Sequence, residues 1–153
     1  MTERSEQKDG LLTRAFRAVS DWAGRHSVNV YLFDGGCCFS GRSVASVLSA
    51  ENEGITYVSS PVYADVLAVS GALSRKAAPV LRRMYEQMPE PRGVIVLGAC
   101  ACGGGLFADS YAVIADVSSV VPVDAFVPGC PVAAADFRLA VRRLFDEKKK
   151  EAV

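Results

Sequence analysis

The apolar positions of this chain change period several times. Over residues 11–26, Leu12, Phe16, Val19 and Ala23 fall on one stripe with Trp22 beside it, and Arg14, Arg17 and Arg25 decorate the other side. That spacing predicts an amphipathic helix, which either packs on its own domain or docks on a partner or a membrane surface. Residues 28–33 (VNVYLF) then read as a strand, Asp34-Gly35-Gly36-Cys37-Cys38 as a loop, and Ser40 as the cap of a helix to about Ala50. Residues 55–58 and 64–69 are apolar runs of strand length. Ser70-Gly71 turns the chain into a helix over about 75–88, which Pro89 and Pro91 terminate. GVIVL at 93–97 is a β-branched, buried-type strand; 120–127 holds the last strand, interrupted by Pro122; and a closing helix runs from about Val132 into Lys148-Lys149-Lys150. Strands alternating with helices predict an α/β fold, a doubly wound, mainly parallel sheet with helices on both faces.

Composition narrows the class. The chain has 153 residues, half of them hydrophobic, enough for one domain that buries roughly 70% of its unfolded surface without metal or disulfide staples. Residues 1–10 are polar and read as a disordered lead, 11–26 as the docking helix, 27–147 as a single domain and 148–153 as a charged tail. No apolar signal-peptide core follows the lead, and the most apolar stretch, 112–127, is broken by Asp116, Pro122 and Asp124. A soluble, cytoplasmic domain is therefore expected. Seventeen basic residues balance seventeen acidic ones, which argues against nucleic acid as a partner.

The five cysteines are placed unevenly. Cys37 and Cys38 follow the first strand, Cys100 and Cys102 follow GVIVL, and Cys130 follows the last strand. In an open parallel sheet the loops after the strand carboxyl ends gather at one edge and form the ligand crevice. Glycines flank each cysteine loop, at Gly35-Gly36, Gly98, Gly103-Gly104-Gly105 and Gly129, where backbone amides can approach sulfur closely. Four readings compete at this point. The thiols could be buried small hydrophobes. They could be zinc ligands, although adjacent cysteines make a poor knuckle. One could be a nucleophile, for which His26, the sole histidine, would be the base. They could instead hold an iron–sulfur cluster through four thiolates. Spacing alone does not choose between Cys100 and Cys102.

Three blocks carry a resemblance. They are Ala78-Pro79-Val80-Leu81-Arg82-Arg83-Met84-Tyr85-Glu86-Gln87-Met88-Pro89-Glu90-Pro91, then Gly98-Ala99-Cys100-Ala101 with Gly104-Gly105, then Val121-Pro122-Val123-Asp124 with Val127-Pro128-Gly129-Cys130-Pro131. In this order and spacing the chain resembles the small iron–sulfur (20-kDa, PSST-type) subunit family of respiratory complex I. It is similar also to the related small subunits of energy-converting nickel–iron hydrogenases and formate hydrogenlyases. The resemblance implies a flavodoxin-like fold and one 4Fe–4S cluster held by Cys37, Cys38, Cys100 and Cys130, with Cys102 a spectator. It implies an electron-transfer subunit that is inactive alone. That subunit would sit on the cytoplasmic side of the membrane against a large catalytic subunit, a ferredoxin-like iron–sulfur subunit and an integral membrane subunit, relaying electrons towards quinone.

Two features pull between branches. Tandem Cys37-Cys38 looks like complex I, whereas Val30-Tyr31-Leu32-Phe33-Asp34-Gly35-Gly36 looks like the hydrogenase lead-in. Gly41 stands where the family normally has a glutamate, and the loop at Ser59-Ser60-Pro61-Val62 lacks the arginines usual in complex I. The alternatives are thus a hydrogenase or formate hydrogenlyase-type small subunit, or a non-catalytic binding or sensor domain that retains the fold. Arg42, Arg75, Lys76 and Arg82 are candidate cations near the site, and Asp109, Tyr111 and above all Asp124 are candidate supporting groups.

Overall fold

The computed structural model describes residues 27–35 and 54–151. The predicted lead, the docking helix, the Cys37-Cys38 loop and the helix after Ser40 lie outside the described residues. The strands are β1 (Val28–Asp34), β2 (Ile55–Tyr57), β3 (Val66–Ser70), β4 (Gly93–Leu97) and β5 (Ala125–Val127). The helices among the described residues are α1 (Ala78–Gln87), α2 (Ala99–Gly103) and α3 (Ala134–Glu151), with short 3-10 turns at Pro61–Tyr63, Gly105–Phe107 and Val117–Ser119.

The five strands form one sheet in the order β2-β1-β3-β4-β5, and every neighbouring pair is parallel. This is the flavodoxin-like order, with its topological switch point between β1 and β3. The central strands β3 (VLAVS) and β4 (GVIVL) are buried along their whole length. Burial on both faces is what selects their unbroken apolar composition. Side chains alternate between two cores. On one face Val28, Val30, Val66, Ala68, Ile95, Leu97 and Val127 meet Phe137, Val141 and Leu144 of α3. On the other, Phe33, Leu67, Val69, Val94 and Val96 meet Ala78 and Leu81 of α1. Each such aliphatic or aromatic side chain contributes about 1.5–3 kcal/mol when fully buried. Helices thus cover both faces, and α3 carries the three closing lysines within it as far as Glu151.

Three local devices fix this arrangement. The helix expected from about residue 75 starts at Ala78, because Pro79 lacks an N–H and is tolerated only in a first turn. Ser74 to Ala77 form a turn instead, with Ser74 Oγ accepting from Ala77 N at 3.1 Å. At the other end of α1, Arg92 Nη1 donates to Tyr85 O (3.1 Å) and Met88 O (3.0 Å), and its guanidinium lies 4.2 Å from the Tyr85 ring centroid. It satisfies carbonyls that a helix end leaves orphaned.

The second device repeats. Asp65, just before β3, accepts from Asn29 N through Oδ2 at 2.9 Å while its own N–H donates to Asn29 O at 2.8 Å. Asp124, just before β5, does the same to Val94, at 2.7 Å and 3.0 Å. Each aspartate extends the parallel ladder by a side chain at the amino end of a strand. The third device is Gly93. A Cβ there would come within 2.3 Å of Leu144 Cδ2, so the missing side chain is what lets α3 lie down on β4.

Candidate functional site

Because all strands run the same way, β1, β4 and β5 deliver their following loops to one edge. The chain passes from Leu97 through Gly98 into α2, which places Cys100 in its first turn with the residue 5% exposed. From Val127 it passes through Pro128 and Gly129 to Cys130, which is exposed. Two backbone hydrogen bonds tie these loops together: Gly98 N to Val127 O at 2.9 Å and Ala99 N to Gly129 O at 3.0 Å. The Cys100 and Cys130 segments therefore lie side by side at the carboxyl edge. Cys37 and Cys38 lie outside the described residues; they follow β1, whose Asp34 is in register with Ser70 of β3. The first residue after β1, Gly35, donates its N–H to Ser70 O at 2.6 Å, so the chain still hugs β3 as it leaves the sheet.

The turn after α2 is shaped around Cys100. Gly104 has φ +79° and donates its N–H to Cys100 O at 2.9 Å, and Gly105 follows with φ +50°. Both are left-handed conformations that glycine adopts without a Cβ penalty. A Cβ on Gly105 would stand 2.9 Å from Cys100 Sγ, so the glycine run folds back directly over that thiol.

Cys102 goes elsewhere. Its Sγ donates to Val96 O at 3.8 Å, and the side chain packs with Ala101 on the α1-side core. Burial pushes its thiol above the ordinary value of 9.0, and a backbone hydrogen bond at Val127 works in the opposite direction. A desolvated thiol is a poor source of thiolate. Spacing leaves Cys100 and Cys102 equivalent, whereas the structure sets the buried Cys100 against the glycine turn and the half-buried Cys102 against the α1-side core and Val96 O.

The charged candidates are less concentrated. Arg42 is outside the described residues. Arg75 Nε donates to Tyr111 O at 2.7 Å, fastening the two loops together. Arg82 pairs with Glu86 on an exposed flank of α1 at 3.2 Å, and Lys76 is exposed. Asp109 is exposed. Asp124 engages Val94 at the amino end of β4, three residues from Leu97 and so about 10 Å from the cysteine edge. There it serves the ladder of the sheet. Leu106, 94% exposed, directly follows the glycine turn at Cys100, and Tyr111, 91% exposed, lies five residues further on in the loop that Arg75 fastens.

Among the described residues no three His, Cys, Asp or Glu side chains are close enough to hold a metal ion; Cys100 and Cys130 are the thiols whose loops meet at the carboxyl edge. A flavodoxin-like parallel sheet that brings two cysteine loops together at its carboxyl edge places the chain among the open α/β domains whose ligand site lies at that edge. Within that class the chain belongs to the family of the NADH ubiquinone oxidoreductase 20 Kd subunit, whose model matches residues 23–144. It is an electron-transfer subunit of a complex I-like oxidoreductase.

It is 44% identical over 124 residues to an NADH-quinone oxidoreductase subunit of Desulfovibrio desulfuricans, an alignment that covers 80% of this chain and 67% of that relative. Its fold is similar to a chain of the membrane-bound sulfane sulfur reductase, an archaeal respiratory membrane complex, with a TM-score of 0.69 at 23% identity over 84% of this chain and 73% of that one.

The family is associated with iron–sulfur chemistry, and the residues present fit such a group. Thiols are the donors that iron–sulfur clusters take. The glycine turn over Cys100 keeps a methyl out of the space beside its sulfur, and the loop carrying Cys130 is bonded to the same helix.

Proposed function

We propose that this chain holds one 4Fe–4S cluster through Cys37, Cys38, Cys100 and Cys130 and relays electrons across the interface with a large catalytic subunit towards quinone. The observation that carries this reading is the pairing of the Cys100 and Cys130 loops by two backbone hydrogen bonds at the edge to which β1 also leads. The cluster supplies the one-electron redox step. The chain supplies thiolates from three loops remote in sequence, the left-handed glycine turn that fits around Cys100, and a rigid parallel sheet that holds those loops in register.

The apolar Leu106 and Tyr111 fit a surface covered by partner subunits, which would shield the cluster from water. Among the described residues no helix is long and apolar enough to cross a membrane. Attachment at the cytoplasmic side then falls to an integral membrane partner and to the basic helix predicted over 11–26. A ferredoxin-like subunit fits as the source of electrons. The division into a lead, a docking helix and one cluster-binding domain from residue 27 follows the same logic.

Paramagnetic resonance of the reduced, assembled complex tests the assignment. Cys100→Ala and Cys130→Ala abolish the 4Fe–4S signal, and Cys102→Ala spares it. Loss of the signal in Cys102→Ala with retention in Cys100→Ala would overturn the ligand set. The acceptor is decided by the large partner: two intact Cys-x-x-Cys pairs in its sequence mean nickel–iron chemistry in place of quinone.

A further inference from the structure

One buried polar atom at the cysteine edge has no role in the interactions above. Ser70 ends β3 and is 8% exposed, yet its Oγ has no hydrogen-bond partner among the described residues. A hydroxyl taken out of water without a replacement bond is costly, and such groups are nearly always paired in a finished protein. The backbone carbonyl of Ser70 is engaged by Gly35 N, so the unpaired group is the side chain alone.

Its position is specific. Ser70 is in register with Asp34 on one side and Leu97 on the other, each about 4.8 Å away across the sheet. Three residues beyond Asp34 lies Cys37, and three beyond Leu97 lies Cys100. Alternation along β3 puts the Ser70 side chain on the face of Val66 and Ala68. That is the face on which Val132, two residues after Cys130, packs. Ser70 therefore ends β3 between the two strand ends, Asp34 and Leu97, from which the chain leaves towards Cys37 and Cys100.

Resting on the four-thiolate reading above, we propose that Ser70 is a positioning residue whose hydroxyl donates a hydrogen bond to a sulfur of the cluster site, a cysteine thiolate or a bridging sulfide, and thereby raises the cluster's reduction potential. The reduced form carries one more negative charge than the oxidised form. A donor aimed at sulfur stabilises that form more.

The test is a potentiometric titration of the cluster's paramagnetic signal in the purified complex, with Ser70→Ala and Ser70→Thr compared to the native protein. Ser70→Ala lowers the midpoint, changing the reduced-to-oxidised ratio at fixed ambient potential by about threefold to tenfold, tenfold being about 59 mV for a one-electron couple. Ser70→Thr, which keeps the hydroxyl, restores the native midpoint. A pulsed measurement of exchangeable protons near the cluster shows one coupling in the native and Ser70→Thr complexes that is missing from Ser70→Ala. Equal midpoints and equal proton couplings in the native and Ser70→Ala complexes overturn the role of Ser70 while leaving the four thiolates intact. The lack of any 4Fe–4S signal in the native complex overturns both.

Discussion

A single methyl group added at Gly105 tests whether the glycine turn is built around Cys100. Gly105 has φ +50°, and in that left-handed region an L side chain costs roughly 1–2 kcal/mol. The new Cβ of Gly105→Ala would meet Cys100 three times, at 2.9 Å from Sγ, 3.1 Å from Cα and 3.2 Å from N. Two of those atoms are backbone, and their turn is held by Ala99 N to Gly129 O and by Gly104 N to Cys100 O. The contact is relieved only by moving α2 against β5, an overpacking cost of about 1–3 kcal/mol.

The expected loss is thus about 2–5 kcal/mol, a large part of the ~5–15 kcal/mol by which a domain is stable. Gly103→Ala is the internal control. It lies two residues away in α2, its Cβ would meet nothing within 4 Å, and alanine is about 1 kcal/mol better than glycine in a helix. Urea unfolding of the full chain reads the difference. In the assembled complex, iron content falls in Gly105→Ala and holds in Gly103→Ala. If the two variants unfold at the same urea concentration, the turn is not packed on Cys100 and the reasoning fails.

Two further outcomes are expected. Asp124→Ala leaves the buried Val94 N–H without its 2.7 Å acceptor and costs about 1–3 kcal/mol, with faster hydrogen exchange at the Val94 amide; Asp124→Asn, which keeps an acceptor oxygen, recovers most of it, and neither changes the cluster spectrum. Cys102, whose thiol is held above 9.0 by burial, is alkylated at a rate that still climbs with pH beyond the point where an ordinary thiol has levelled off. The folded chain retains that proton longer than the unfolded chain. Cys102 therefore contributes stability that is fully present below the unfolded thiol's pKa and lost as pH rises through the folded one. A native chain that loses no more stability than Cys102→Ala between pH 8 and pH 10 contradicts this.

The sheet was legible in the sequence for a physical reason. Strands buried on both faces must be nearly unbroken apolar runs, and the run at 64–69 and GVIVL announce themselves as such, although the buried strand reaches one residue further, to Ser70. The stop of α1 was equally plain from Pro89 and Pro91, while its start was not, because Pro79 forbids what the apolar spacing alone allows. The meeting of the Cys100 and Cys130 loops followed from parallel order once the strands were known. What no pattern could give was direction. Cys100 and Cys102 are two residues apart on one helical turn, about 200° around its axis, and only the packing of α2 decides which sulfur meets the glycines and which meets Val96 O. Asp124 misled for a similar reason. An aspartate beside a cysteine loop in sequence sits at the opposite end of the sheet in space, where it completes a ladder. Arg92 left no signal at all, since its capping of α1 depends on how the chain doubles back after Pro91.

The parallel sheet also sets an order of events. No two neighbouring strands in it are joined by a hairpin; every pairing closes a loop of many residues, and long-range pairing is slow. The Cys100 and Cys130 loops come together only when β4 and β5 are in register, a pairing that closes a loop of many residues and so follows the local structure in time. A chain of this design presents its carboxyl edge as a certificate of completed folding, since the edge has its shape only when the sheet does.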